Sequence, residues 1–456
     1  EFRRNAFEIK QTIAAPAIGA TTITADLAAT YYQGQPVAAG NVKHFSRIAA
    51  QNPYPERFRD FLFGNHRTDD WTYWYHYFGY RSDDDSESGP SSQIQGETTL
   101  SADGKASLPI AIPLADFPTA REVTVSSEVT DANNQTLTSS TTTTVHPASV
   151  YIGVSRNDSL VRAGQALALK LVATDTEGEP FKGAVKVTAT LTRELNSSVK
   201  TQTDSGATTT RNDVTEEPVS TSEITLDPAA SAKEGTAFTI TPKSTGRHFL
   251  TVRGVDPEGH PFATVTYFNV YGTNEYPWLY EDGLRVKLVA EKKSYKPGDT
   301  ARVLVLSPIE GTALVTVERE KVLRSFQVEL KADKPVIEIP ITADDAPNAF
   351  VSILIIKGAK ESAREHKEPQ LRLGYCELIV ENLRDQLAVT LEAPATCRPG
   401  DDITLTGTVI LANGQPAAKA EVTLYAEDEG TLAVMGYETP QPMDYFYRPR
   451  NLDVET

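Results

Sequence analysis

Short stretches in which apolar and polar residues alternate recur along this chain. Ile403, Leu405, Gly407 and Val409 alternate with Thr404, Thr406 and Thr408, and Val422, Leu424 and Ala426 with Glu421, Thr423 and Tyr425. Successive strand side chains point to opposite faces, so a period of two marks a strand with one face on a core and one in water. Leu167, Leu169 and Leu171 carry the same period, as do Val187, Ala189 and Leu191. Helical spacing is hard to find over more than two turns. The pattern predicts an all-β chain of antiparallel sheets, packed as tandem β-sandwiches of the immunoglobulin or fibronectin type III kind.

A weak repeat orders these strands. Its turn reads Arg162-Ala163-Gly164-Gln165, then Lys296-Pro297-Gly298-Asp299, then Arg398-Pro399-Gly400-Asp401. Glycine supplies a positive φ there and proline, where present, presets the torsion before it. Each turn leads into an apolar strand, from Ala166, Ala301 or Ile403, and a second turn follows at Gly178-Glu179-Pro180, near Gly311, or at Gly414-Gln415-Pro416. A further strand is expected from Val185, Leu314 or Val422, and a fainter copy from Ile23 to Ala29, Gly34-Gln35-Pro36 and Val42. Closing strands meet opening strands at His146-Pro147, at Gly272 to Pro277 and at Asn382 to Asp385. These boundaries predict sandwiches over 1–147, 148–272 and 273–384, and a partial one over 385–456, too short for the full strand set and expected to be truncated.

Two segments interrupt the pattern. Residues 52–89 are rich in aromatics, among them Phe58, Phe61, Phe63, Trp71, Tyr73 and Trp74. Such a cluster either folds over the edge of its own sandwich as a satellite core or presents rings to a sugar or a protein partner. Residues 196–222 are rich in Ser and Thr and form a hairpin or a loop; the recurring Thr and Val favour the hairpin.

At 456 residues the chain is too long for one core and suits three or four domains. No apolar run reaches the roughly 18 residues that span a bilayer. The start, Glu1-Phe2-Arg3-Arg4, is polar and is not a signal peptide, as expected of a chain that begins inside a longer parent. A net charge of -17 argues against nucleic acid and anionic membrane as partners, because phosphate binding needs a basic face. Cys376 and Cys397 are too few for a disulfide scaffold, and read either as two buried thiols or as a bridge between adjoining domains.

Chemistry-bearing patterns are sparse. The seven histidines show no i, i+4 pair, and no Cys-x-x-Cys occurs. Asp83-Asp84-Asp85 with Glu87 lacks the alternating ligands and central glycine of a calcium loop and reads as a solvated turn. No Gly-x-Ser-x-Gly elbow is present. Cys397 occupies the position of Tyr295 in the preceding repeat, which suggests a packing slot. No catalytic, cofactor-binding or metal-binding residue is assigned, and no enzyme is expected.

Ala426-Glu427-Asp428-Glu429-Gly430, followed by Tyr437-Glu438-Thr439-Pro440-Gln441-Pro442 and Tyr445-Phe446-Tyr447-Arg448-Pro449-Arg450, resembles the characteristic segment of bacterial alpha-2-macroglobulins. Glu291 to Ala301, Leu314 to Glu320 and Asp344 to Val351 also look like members of that family, while over roughly the first 270 residues only the generic strand-and-turn pattern agrees. Glu427 departs from it, standing where the family has an apolar residue. The resemblance implies successive macroglobulin β-sandwiches in a protease inhibitor that closes around its target after cleavage of a bait. It places the bait beyond Asp428-Glu429-Gly430, and a thioester in a Cys-x-Glu-Gln motif further on; neither Cys376 nor Cys397 has that context. It further implies proteases as partners of a full-length parent, a monomeric chain without membrane contact of its own, and a periplasmic, cell-envelope or secreted location. The competing expectation is a tandem immunoglobulin-like adhesin or carbohydrate-binding surface protein.

Overall fold

The computed structural model describes residues 6–67, 92–113, 117–155, 159–202, 208–272, 276, 285–307, 309–331, 333–358, 369–394, 396–398, 400–424, 427, 431 and 442–454. The fold is nearly all β. Strands β1 (Phe7–Ile13), β2 (Thr22–Tyr31), β3 (Asn41–Gln51), β4 (Phe61–Phe63), β5 (Ser92–Thr99), β6 (Lys105–Ala111), β7 (Ala120–Thr130) and β8 (Thr136–Val145) come first. One sheet has the order β1-β2-β6 and the other β5-β3-β7-β8. In β2 the alternation read from the sequence is realised: Ile23, Ala25, Leu27 and Ala29 are buried and Thr22, Thr24 and Asp26 are exposed. They pack with Val123, Val125 and Val129 of the facing sheet in one apolar core.

The second sandwich comprises β9 (Tyr151–Ser155), β10 (Leu160–Arg162), β11 (Leu167–Thr174), β12 (Val185–Gln202), β13 (Thr208–Leu226), β14 (Thr236–Ile240), β15 (Gly246–Val255) and β16 (Pro261–Tyr271). Its sheets run β10-β16-β15-β12-β13 and β14-β11-β9-β4. The third comprises β17 (Lys287–Ala290), β18 (Ser294–Tyr295), β19 (Thr300–Leu306), β20 (Gly311–Glu318), β21 (Val322–Leu330), β22 (Val336–Pro340), β23 (Asn348–Lys357) and β24 (Gln370–Val380), ordered β18-β24-β23-β20-β21 and β17-β19-β22. The repeat is therefore a repeat of topology. β11, β12, β13, β14, β15 and β16 stand to one another as β19, β20, β21, β22, β23 and β24 do, and as β2, β3, β5, β6, β7 and β8 do. Each copy closes on its own core.

Both turns of the repeat take the conformations their glycines permit. Gly164, Gly298 and Gly400 lie at φ 81, 96 and 92°, where a side chain would be strained. In the second turn the bridges Thr30↔Pro36, Thr174↔Pro180 and Ile410↔Pro416 recur at one register. The sheets are not wholly antiparallel. β10 and β18, the short strands before the first turn, run parallel to the closing strands β16 and β24. Periodicity cannot report that pairing, because it gives no strand direction.

The two insertions occupy one place in the repeat, the hairpin that links β3 to β5 and β12 to β13. The Ser/Thr-rich stretch forms the distal half of a hairpin in which β12 pairs with β13 from Val185↔Leu226 to Gln202↔Thr208. A bulge at Leu191/Thr192 falls beside Pro218, on the edge strand, where a missing N–H breaks no ladder. The aromatic stretch differs from expectation: its described part does not fold over the edge of its own sandwich. β4 pairs instead with β9 of the next one, and Phe58 and Phe63 are buried with Tyr151 and Val172 of that sandwich and Ala120 of the first. An aromatic cluster in the sequence reports burial without naming the sheet that covers it. Trp71, Tyr73 and Trp74 lie outside the described residues.

The last repeat is represented by β25 (Ala388–Glu392) paired with β26 (Thr406–Ile410). Its first turn and Gly414 follow the pattern, but residues 421–424 form no strand, contrary to expectation. A strand needs a ladder partner, and among the described residues none lies beside them. Ile403, Val422 and Leu424 stay exposed for the same reason. No helix among the described residues is long and apolar enough to cross a membrane.

Candidate functional site

Three stretches far apart in the sequence meet at one end of the third sandwich: the turn after β20, the loop before β23, and residues 447–453. The loop is built first. Asp345, fully buried, receives both arms of the Arg324 guanidinium, Nη1 to Oδ1 at 2.6 Å and Nη2 to Oδ2 at 2.9 Å. It also accepts from the Thr342 N–H at 2.7 Å and the Thr342 hydroxyl at 3.1 Å, closing a capping box over the turn Ala343–Asp345. A planar fork of donors matches a carboxylate, so the pair fixes the loop's orientation as well as satisfying a buried charge.

The loop then presents its carbonyls inward. Arg319 Nη1 donates to the carbonyls of Ala346 at 2.7 Å and Asn348 at 3.2 Å. Arg319 Nε donates to Glu320 at 2.8 Å. Its own carbonyl accepts from the Asp453 N–H at 2.9 Å. Asn348, fully buried, holds the incoming segment from both sides: Nδ2 donates to the Arg450 carbonyl and Oδ1 accepts from the Arg450 N–H, each at 2.8 Å. A side-chain amide so placed substitutes for a neighbouring strand. Arg450 Nη1 donates to Glu320 at 2.8 Å.

The electrostatics follow from these contacts. Hydrogen bonds from Arg450 and Arg319 hold the Glu320 carboxyl down at about 2. Burial raises Glu377, opposed by the hydrogen bond it accepts from Asn348 Nδ2 at 2.6 Å. Hydrogen bonds from Asn382 and Tyr447 lower Asp385, which ties the segment to the connection after β24. Arg319, Glu320, Asn348 and Asp385 hold residues 447–453 directly, and the Asp345–Arg324 pair fixes the loop from which Asn348 does so.

Cys376 is buried on β24, where burial and then the neighbouring Glu377 push its thiol up to about 12, so it stays protonated and inert. Cys397 is exposed and the two cysteines are not bonded. The expectation of two buried thiols therefore fails at Cys397, and so does the bridge. Tyr295, its counterpart, is fully buried because a complete facing sheet covers it; β25 and β26 have no such cover among the described residues. No group of three His, Cys, Asp or Glu side chains among the described residues is placed to hold a metal ion, and Asp83, Asp84, Asp85 and Glu87 lie outside them.

The sequence singled out Leu314 to Glu320, Asp344 to Val351 and Tyr445 to Arg450 separately, and did not show that they converge. Asn348 carried no signal of its own, because a lone Asn after a proline reads as turn chemistry. Of the Asp428-Glu429-Gly430 motif the described residues include none; Glu427 before it is exposed.

Residues 286–434, the third sandwich and most of the unit after it, match the family model for the alpha-2-macroglobulin bait region domain. The chain is 26% identical over 423 residues to an alpha-2-macroglobulin homolog of Nostoc sp., covering 91% of this chain and 21% of that protein. It is 26% identical over 372 residues to an alpha-2-macroglobulin of Xylella fastidiosa, covering 79% of this chain and again 21% of the relative. The chain thus spans about a fifth of the length of the curated relatives it matches. Among solved structures it is similar to the native conformation of Escherichia coli alpha-2-macroglobulin, at 17% identity and a TM-score of 0.44, covering 99% of this chain and 28% of that one. Residues 286–434 thus match the alpha-2-macroglobulin bait region domain, and over most of its length the chain is similar to bacterial alpha-2-macroglobulins.

Proposed function

We propose that this chain is part of the frame of a broad-spectrum protease inhibitor, which traps a protease by changing shape after its bait is cut. Its frame elements are macroglobulin-like sandwiches at 1–147, 148–272 and 273–384 and a partial one at 385–456. The observation that carries the reading is the convergence at the third sandwich, where two stretches within the family match, around Arg319 and Asn348, close one polar cluster on residues 447–453. The family match favours a trap over an adhesin, and the docked segment favours a mechanical role over catalysis.

The family resemblance puts the bait after Asp428-Glu429-Gly430, beyond the three complete sandwiches; the matched model, named for the bait region domain, covers residues 286–434. No Cys-x-Glu-Gln occurs in the sequence, so these residues carry no thioester. Proteases are met through the full-length protein, in the periplasm or at the cell envelope, and this part is monomeric, without cofactor, nucleic acid or membrane contact.

Incubating the 456-residue chain with trypsin, elastase and subtilisin tests this. Hydrolysis of both large and small substrates should proceed at the uninhibited rate. Appreciable inhibition of either, or one preferred cleavage inside residues 286–424, would place the trigger in this chain and overturn the frame reading.

A further inference from the structure

The connection between the first and second sandwiches is not a simple linker. After β3 the chain leaves the first sandwich at Asn52 and runs along the second. There β4 extends the sheet of β9, with Phe61↔Ser155, Leu62↔Val154 and Phe63↔Gly153 in register. Gly153 leaves the space that the Phe63 ring fills, since a Cβ there would collide with it. Phe63 itself is 1% exposed.

Beyond β4 the same arm crosses the seam to the other sheet of the second sandwich. The Gly64 N–H donates to the Thr264 hydroxyl at 3.1 Å, and that hydroxyl donates to the Ile152 carbonyl. The Val265 N–H donates to the Gly64 carbonyl at 2.9 Å, and the His66 N–H to the Val265 carbonyl at 3.0 Å. The arm thereby satisfies backbone groups of β9 and β16, which belong to opposite sheets. Gly64 lies at φ 84° with no room for a Cβ beside Asn52. Asn52, at the exit from the first sandwich, clamps the arm's far end: its Oδ1 accepts from the Asn65 N–H at 2.8 Å and its Nδ2 donates to the Asn65 carbonyl at 3.0 Å. Before β4, Arg57 donates to Glu179 at 3.2 Å, and at the arm's end Arg247 donates to the Arg67 carbonyl at 2.7 Å.

The joint between the second and third sandwiches is made differently. Leu160, Tyr276 and Leu304 pack there, and the Ser159 N–H donates to the Glu291 carbonyl at 2.8 Å. Among the described residues no strand of one of these two sandwiches joins a sheet of the other.

We propose that residues 52–67 are a donated strand that clasps the first and second sandwiches into one body, which unfolds and moves as a unit, while the third is coupled to it only by surface packing. Strand donation welds two domains because removing the arm exposes two sheet edges and an aromatic core together. This inference does not rest on the trap reading; it concerns the chain whatever its targets.

Hydrogen exchange on the full chain decides it. Leu226 is buried on β13, separated from β16 by two strands of its sheet, and touches no part of the clasp core. In Leu226→Ala, amides of Val187 to Leu191 and of Ala25 to Ala29 should speed up together, by about tenfold or more, with Ala313 to Val317 of the third sandwich unchanged. Val187→Ala serves the same purpose if Leu226→Ala does not fold. Adding Phe63→Ala should restrict the acceleration to the second sandwich. If the first sandwich keeps its protection in Leu226→Ala, or if all three sandwiches lose it equally, the clasp is not what joins them and the proposal falls.

Discussion

Asp256 shows how one buried charge fixes a joint. It accepts from the Ser149 N–H and hydroxyl, each at 2.9 Å, and from the N–H groups of His260 at 2.8 Å and Glu258 at 3.0 Å. Burial alone would raise its pKa; the bonds from Ser149 and His260 outweigh that and hold the carboxyl at about 2. Because the folded value lies below the ordinary carboxyl value of 3.8, the stabilisation is complete above that pH and is lost as pH falls through about 2. The difference corresponds to about 2 kcal/mol. Urea midpoints measured from pH 5 down to 2 should therefore fall, and Asp256→Asn should lower the pH 7 midpoint and flatten part of that slope. An unchanged slope would show that another carboxylate carries it. Asn348 acts the same way on the 447–453 segment. Its replacement by Ala removes both bonds to Arg450 and leaves Glu377 buried with one donor fewer, a loss of roughly 1–3 kcal/mol. The Arg450 amide should then exchange at the rate of a free peptide. If it stays protected, the segment is seated without Asn348, by the Arg450–Glu320 ion pair and the bonds of Asp453 and Tyr447.

Among the elements, the hairpin between β12 and β13 separates what the sequence could report from what it could not. Val187, Ala189 and Leu191 alternate in the sequence and are buried in the structure, because a period of two is a local property. The turns at Gly164 and Gly298 were legible for the same reason. The parallel pairing of β10 with β16 and the placement of β4 on β9 join residues about a hundred positions apart, and no local pattern carries such information. Three residues, Phe61 to Phe63, are also too few to show a period. The core of the second sandwich uses β12 only as far as Leu191, and Leu226 at the end of β13. Replacing residues 198–212, between the paired Ser197 and Asp213, by an Asn-Gly turn should therefore change stability by less than about 1 kcal/mol, since loop closure depends weakly on length. Calorimetry checks this. A larger drop would mean that the distal hairpin packs on something beyond its own two strands.

Across the whole molecule, three copies of one topology close on apolar cores and the fourth does not. Val389 is 66% exposed, Val422 63% and Leu424 58%, whereas the equivalent positions Ile152, Val185 and Val187 of the second sandwich are 1%, 5% and 3% exposed. The strand pattern was legible in all four copies, because alternation records which face is apolar; what covers that face depends on strands elsewhere. The fourth copy meets the third sandwich through residues 447–453 and leaves its own apolar positions in water. An apolar surface of this kind binds the dye ANS, as partly opened proteins do. The full chain should give strong ANS fluorescence at 25 °C, and a chain ending at residue 384 should lose most of it while its first two sandwiches unfold within about 5 °C of the original temperature and the third, deprived of the bonds from residues 447–453, unfolds lower. The shift of the first two is small because residues 385–424 contribute nothing to the three apolar cores. Should the shortened chain keep its dye binding, the exposed surface lies on the sandwiches themselves; should it fail to fold, residues 385–456 are structural parts of the third sandwich rather than a neighbour resting on it.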